Sequence, residues 1–309
     1  MNGLLIAGRL FFAIAMVFFG AQFLIFVSSM SGPLPGPPWS HGVLSLDWLA
    51  CVGFILAGVS IATGTMARLV ATVLGVVLLL YALFRYVPVM VTRLHDPGPW
   101  TVVFEILAMV GGAWVLAASF PADGRGSPSW DSMVWRLADV GRFLIAISLV
   151  VFAVQHFMYA RFVATLIPAW IPAHLFWAYF TGIAFVAAAV SIATKRMLGM
   201  AATLLGTMFF LWVVLLHIPR VAGAIRNGNE VTSLFVAVAM CGLSFVLAGA
   251  CGRNLEGGVH SFYEKTAIYL ILRCGGVCGW PGIDSVRCSC SACAEARDDE
   301  AWVSERADE

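Results

Sequence analysis

Short stretches of this chain occur twice at a nearly constant spacing. Gly8-Arg9-Leu10-Phe11-Phe12 returns as Gly141-Arg142-Phe143-Leu144-Ile145, and Ser60-Ile61-Ala62-Thr63 returns unchanged as Ser191-Ile192-Ala193-Thr194. Leu74-Gly75 matches Leu205-Gly206, Pro88 matches Pro219, Thr101 matches Thr232, and Met109-x-Gly111 matches Met240-x-Gly242. From Ser60 onward the separation is 131 positions, whereas the first pair lies 133 apart. A two-residue difference in the loop after the first helix accounts for the change. One offset held from Ser60 to Gly111 is more than shared composition produces, so the chain reads as a tandem duplication.

Both copies are apolar. Of 309 residues, 61% are hydrophobic and 11% charged, whereas a soluble domain carries about 25% charged residues. Such a chain cannot cover a water-facing surface, and lipid must be part of its solvent. A net charge of +1 argues against a nucleic-acid partner. Runs of apolar residues long enough to cross ~30 Å of hydrocarbon lie near 4–28, 46–64, 67–88, 99–120, 138–160, 173–195, 197–220 and 230–252. The first does not read as a cleaved leader: it is long, no basic residue precedes it, and it has a twin at residue 141. Helices satisfy their own backbone groups in a medium without water.

The expected fold is therefore an all-α integral membrane protein with eight transmembrane helices in two tandem four-helix bundles. Residues 1–120 form the first repeat, 121–136 a linker rich in Gly, Pro, Ser and Asp, 137–252 the second repeat, and 253–309 a polar tail expected to be disordered. Tight turns at Thr63–Arg68 and Thr194–Met197 predict antiparallel hairpins. Four is an even number, so the two repeats should stand parallel, related by an axis along the membrane normal. Eight basic residues fall on the N-terminal side (Arg9, Arg68, Arg125, Arg136, Arg142, Lys195, Arg196, Arg253). Five fall on the other (Arg85, Arg93, Arg161, Arg220, Arg226). The positive-inside rule then places both termini in the cytoplasm of a bacterial-type plasma membrane.

Three segments of the second copy carry a resemblance: Phe152-Ala-Val-Gln155-His156-Phe157-Met-Tyr159, then Pro168-Ala-Trp170-Ile-Pro172, then Phe176-Trp177-Ala-Tyr179-Phe180-Thr181-Gly182. Together they resemble the DoxX-like family of small four-helix membrane proteins. The first copy holds a degenerate version in Phe19-Gly20-Ala-Gln22-Phe23, Pro38-Trp39 and Trp48, with Phe23 where the second has His156. The resemblance covers residues 8 to about 250 and implies a DoxX-type bundle occurring twice. It also implies an association with quinone-linked respiratory or thiol-oxidising complexes, with quinone as the cofactor and other redox subunits as partners beside the bilayer. It assigns no catalytic residue.

Ionisable groups within membrane spans are costly, so each is a candidate site. In the first repeat Arg85 and Glu105 stand near the outer ends of their helices, where an ion pair could clamp the hairpin. Proton exchange and head-group recognition are the alternatives. With Gln22 and Tyr86 they would line a first pocket. In the second repeat Gln155, His156 and His217, with Trp170 and Tyr179, would line another. Imidazoles at that depth could bond a quinone carbonyl or pass a proton, or simply bond backbone carbonyls. Gln22 and Gln155, matched across the copies, could instead hold helices together. The loops Gly32–Trp39 and Ile167–Pro172 read as an aromatic belt or as lids. Arg9 and Arg142 are expected to snorkel to the head groups, with Asp139 three residues before Arg142 able to pair with it.

In the tail, Cys274, Cys278, Cys288, Cys290 and Cys293 could supply thiolates to zinc, but paired Cys-x2-Cys knuckles are missing. No phosphate loop or nucleophile elbow occurs in the helices. The sequence thus points to an accessory or anchoring subunit of a quinone-linked redox complex, with a small-molecule or lipid pocket near the outer face. A transporter or lipid-handling protein without a redox role, and a structural scaffold, are the other readings.

Overall fold

The computed structural model describes residues 3–29, 44–121, 128–224 and 227–250. Helices, turns and short connections make up this region, with no strand among the described residues. In chain order the long helices are α1 (Gly3–Ser29), α2 (Leu44–Thr63), α3 (Ala67–Thr92), α4 (Pro97–Ser119), α5 (Pro128–Met158), α6 (His174–Thr194), α7 (Leu198–Gly223) and α8 (Gly228–Ala250). A short helix, Ala160–Thr165, separates α5 from α6. Seven of them, all but α2, contain stretches long and apolar enough to cross a bilayer, with mean hydropathy from 1.9 to 2.3. The apolar stretch counted for α2, Cys51–Thr63, is shorter. The protein is a multi-pass, lipid-contacting membrane protein.

The hairpin turns are built from polar side chains closing on nearby carbonyls. Between α2 and α3 the Ser60 hydroxyl donates to the Thr65 carbonyl, and Gly64 and Met66 have φ of +82° and +50°. Between α6 and α7 the Ser191 hydroxyl donates to the Arg196 carbonyl, with Lys195 and Met197 at +60° and +52°. Left-handed backbone is free for glycine and costs the other three residues. These hydroxyl bonds contribute to holding it. At the opposite end Asp96 caps α4, accepting from the Gly98 N–H at 3.0 Å, and Pro97 occupies the first turn, where its missing N–H does no harm.

The two most buried spans are α4 and α8. They meet where Gly112 faces Leu243: a Cβ on Gly112 would lie 2.7 Å from the Leu243 Cβ. Helix α1 packs against α8, and α5 packs against α4, each through a pair of glycines. A Cβ on Gly8 would sit 2.6 Å from the Val246 N, and one on Gly242 would sit 2.6 Å from the Phe12 N. At the other junction a Cβ on Gly141 would sit 2.6 Å from the Gly111 carbonyl oxygen. Small residues let helix backbones touch, which is the main source of attraction between helices in lipid. A glutamine extends each junction. Gln22 on α1 donates to Thr232 Oγ1 (2.6 Å) and to the Gly228 carbonyl (3.2 Å) on α8. Gln155 on α5 donates to the Pro97 carbonyl (3.2 Å) and accepts from Thr101 Oγ1 (3.1 Å) on α4.

The arginines of the first turns depart from expectation. Arg9 Nη2 donates to the Ala62 carbonyl (2.6 Å), and Arg142 Nη1 donates to the carbonyls of Ile192 and Ala193 (2.7 and 2.6 Å). Arg142 is buried. Neither side chain snorkels freely. The last carbonyls of α2 and α6 have no partner within their own helices, and a guanidinium placed at that negative end satisfies them at close range. The Asp139–Arg142 pair forms at 3.7 Å, and Asp139 also meets Lys195 at 3.1 Å. Linker-side residues add one more tie, from buried Arg68 at the start of α3 to Asp131 at 2.8 Å.

Candidate functional site

The far ends of α3 and α7 are shaped by proline. Pro88 and Pro219 lack an N–H, and their rings would strike the carbonyl four residues earlier. Both helices widen by one residue just before them, into π turns at Ala82–Tyr86 and Val213–His217. The Val87 N–H reaches back to the Ala82 carbonyl, and the Ile218 N–H to the Val213 carbonyl. One inserted residue rotates everything beyond it by about 100° around the helix axis. Such single-turn bulges recur at functional sites.

In α7 the rotated segment carries His217 and Arg220 beside the start of α8. Arg220 Nη2 and Glu230 Oε1 form an ion pair at 2.6 Å, with side chains 30% and 19% exposed. The second carboxylate oxygen, Glu230 Oε2, is buried without a hydrogen-bond partner, and so is His217 Nδ1. Thr232, one turn into α8, takes the hydrogen bond from Gln22 described above. The cluster is thus an ion pair with two open, buried polar atoms at the membrane edge.

The other expected residues of the second repeat are placed around it as follows. His156 Nδ1 bonds the Phe152 carbonyl on its own helix at 2.8 Å. Its ring stacks on Trp212 at 6.1 Å and meets Phe185 edge-on at 5.2 Å, inside a cluster completed by Phe152 and Phe209. Trp212 immediately precedes the π turn that ends at His217, so one helix carries the ring under His156 and the open imidazole. Gln155 is used in the α4–α5 junction. Trp170 is 67% exposed, and Tyr179 is exposed beside Phe157. The loop Ile167–Pro172 therefore carries its tryptophan outward rather than over a cavity, in keeping with an aromatic belt.

The first repeat differs at the same level. The expected Arg85–Glu105 clamp is not formed. Arg85 lies inside the π turn, and its guanidinium stands over the Tyr86 ring, 5.8 Å from the centroid. Tyr86 in turn meets Tyr81 edge-on at 5.4 Å. Glu105 is half-buried on α4 and takes part in none of the four ion pairs among the described residues. Gln22 is engaged with α8. The loop Gly32–Trp39, Trp48's side chain and the five tail cysteines lie outside the described residues, and no cluster of three or more metal-ligating side chains occurs among those described.

Sequence reasoning missed Arg220 and Glu230 as partners. Each stands beside a chain reversal and reads as an ordinary interfacial charge. The available signal was that neither charge recurs at the 131-residue offset, where Val89 and Pro99 stand. No family model matches the chain, and no curated protein or solved structure matches it either.

Proposed function

We propose that the chain is a DoxX-type membrane protein in which two four-helix units, fused in tandem, stand parallel in a bacterial-type plasma membrane. It serves there as an accessory or anchoring subunit of a quinone-linked redox complex and holds a small amphiphilic molecule at the far end of its second unit. Recurrence supports the duplication. The Arg9 and Arg142 caps, the Gly8–Gly242 and Gly141–Gly111 junctions, the two glutamine bridges and the two π turns all repeat at the sequence offset.

One observation carries the binding role: His217 Nδ1 and Glu230 Oε2 are buried and unpartnered beside Arg220. Each open group costs about 1–3 kcal/mol, and lipid supplies no hydrogen bonds to recover it. A head group bearing hydroxyls would satisfy both, one donating to Glu230 Oε2 and one exchanging a hydrogen bond with His217 Nδ1, with Trp212 and His156 offering a ring surface below. A second reading, a lipid-handling protein without a redox link, draws on two apolar grooves at the opposite end of the first unit.

The test is decylubiquinol, the hydroxyl-bearing reduced quinone, titrated into protein reconstituted in nanodiscs and followed by tryptophan fluorescence, together with co-purification in mild detergent. Saturable quenching that weakens at least tenfold in Glu230→Gln and His217→Phe, with a redox-cofactor protein in the eluate, is expected. Linear, unsaturable quenching identical in both variants would contradict the binding role. Absence of any redox partner would remove the anchoring role.

A further inference from the structure

Two apolar grooves flank α2 on its lipid-facing sides. One, of about 960 Å³, lies between α2 and α3 and is walled by Leu56, Val73 and Val77. The other, of about 440 Å³, lies between α1 and α2, with Phe235 of α8 at its edge. Both volumes fall within the range of small-molecule sites, roughly 300–1,000 Å³. The grooves share Val59 and Thr63, so they converge at the end of α2 on the N-terminal side. Their lengths agree with each other. The first runs from Gly53 to Thr63 on α2, the second from Leu10 to Ala21 on α1, which at 1.5 Å per residue is about 15–17 Å. That is half of the ~30 Å hydrocarbon core, the depth of one leaflet.

The point of convergence is polar and positively charged. Ser60, Thr63 and Thr65 line it with hydroxyls. The Gly64 backbone lies against the Arg9 guanidinium, such that a Cβ there would be 3.5 Å from Nη2. Arg9 also stands over the Phe120 ring at 5.3 Å. Arg68, Arg142 and Arg220 each have a carboxylate within 4 Å, but Arg9 has none among the described residues. A positive charge without an acid, packed against the turn at which two leaflet-deep apolar channels meet, fits one kind of occupant.

We propose that this is a binding site for an anionic diacyl phospholipid of the N-terminal-side leaflet. Its two chains straddle α2, one in each groove, and its phosphate accepts from Arg9 and from the Thr65 hydroxyl, whereas the Ser60 and Thr63 hydroxyls stay on backbone carbonyls. The site lies at the opposite end of the molecule from the His217–Glu230 cluster and does not depend on that reading.

Native mass spectrometry of the full chain, exchanged into mixed micelles of palmitoyl-oleoyl-phosphatidylglycerol and palmitoyl-oleoyl-phosphatidylcholine, tests this. One phosphatidylglycerol should persist per chain, favoured about fivefold over phosphatidylcholine, the preference one arginine gives near a surface. Val73→Trp and Ile14→Trp, which change only lipid-facing side chains within the grooves, should each reduce its occupancy. Leu204→Trp, at the position matching Val73 in the second unit, should leave it unchanged. Arg9→Gln should abolish the preference for the anionic head. Should that variant not fold, the tryptophan variants decide. Equal occupancy by the two lipids, or an equal loss with Leu204→Trp, would overturn the proposal.

Discussion

The two halves of this molecule share their packing devices at both ends and differ most in the polar cluster at one of them. On the N-terminal side, residues 3–119 and 128–250 use the same devices: an arginine from the first helix closing the end of the second, a hydroxyl-closed turn, and a glycine contact across the seam. On the opposite side Tyr86, Val89 and Pro99 stand where the second half has His217, Arg220 and Glu230. The contrast teaches which parts of a membrane bundle are interchangeable. Glycine contacts and carbonyl caps are what keep the bundle closed in a solvent that cannot repair a missing bond. At the far end the halves share the glutamine bridges and the π turns but differ in the charged cluster, while on the N-terminal side Arg68, Lys195 and Arg196 likewise match the uncharged Gly199, Gly64 and Thr65.

The largest effect should come from the seam. Gly242→Leu places side-chain atoms on the backbone of α1, and Gly111→Leu does the same on α5. Overpacking of this kind costs up to about 3 kcal/mol or more, so both variants should lose the monodisperse peak in fluorescence-detected size exclusion. If one is tolerated and the other is not, the halves do not share a seam design.

Next come the caps. Arg142→Met leaves two carbonyls open at the end of α6, and Arg9→Met leaves one at the end of α2. At about 1–3 kcal/mol for each buried orphan, thermal unfolding in detergent should show Arg142→Met as the more damaging. Equal losses would mean that the second carbonyl bond contributes nothing.

The glutamine bridges should matter least. Gln22→Leu and Gln155→Leu each remove bonds across the seam, and such bonds in membrane helices average about 0.6 kcal/mol. Small and similar reductions in unfolding midpoint are expected. A large loss for Gln155→Leu alone would give that residue a role beyond helix contact.

Much of the scaffold was legible because its causes are local. Apolar length set the helices, the Gly64 and Lys195 turns set the hairpins, and the offset between Ser60 and Ser191 paired them. Asp139 beside Arg142 was readable from its spacing along one helix. The site was less legible because it depends on rotation. A proline announces a disturbed helix, but not that the turn will open to a π bulge and swing Arg220 onto Glu230. The same device turned Arg85 towards Tyr86, so the pairing expected with Glu105 did not form. Gln155 was the reverse case. Its match with Gln22 offered both a pocket and a helix contact, and the bonds to Pro97 and Thr101 show the contact.

Cysteine accessibility in intact spheroplasts and inverted vesicles, on a background with the native cysteines replaced, addresses the paired architecture most directly. Thr65→Cys and Arg196→Cys, in the two matching turns, should react with an impermeant maleimide from the same side of the membrane. Arg93→Cys and Ala224→Cys should react from the other. Labelling of Thr65→Cys and Arg196→Cys from opposite sides would mean that the halves are inverted, and the shared seam described here would be wrong.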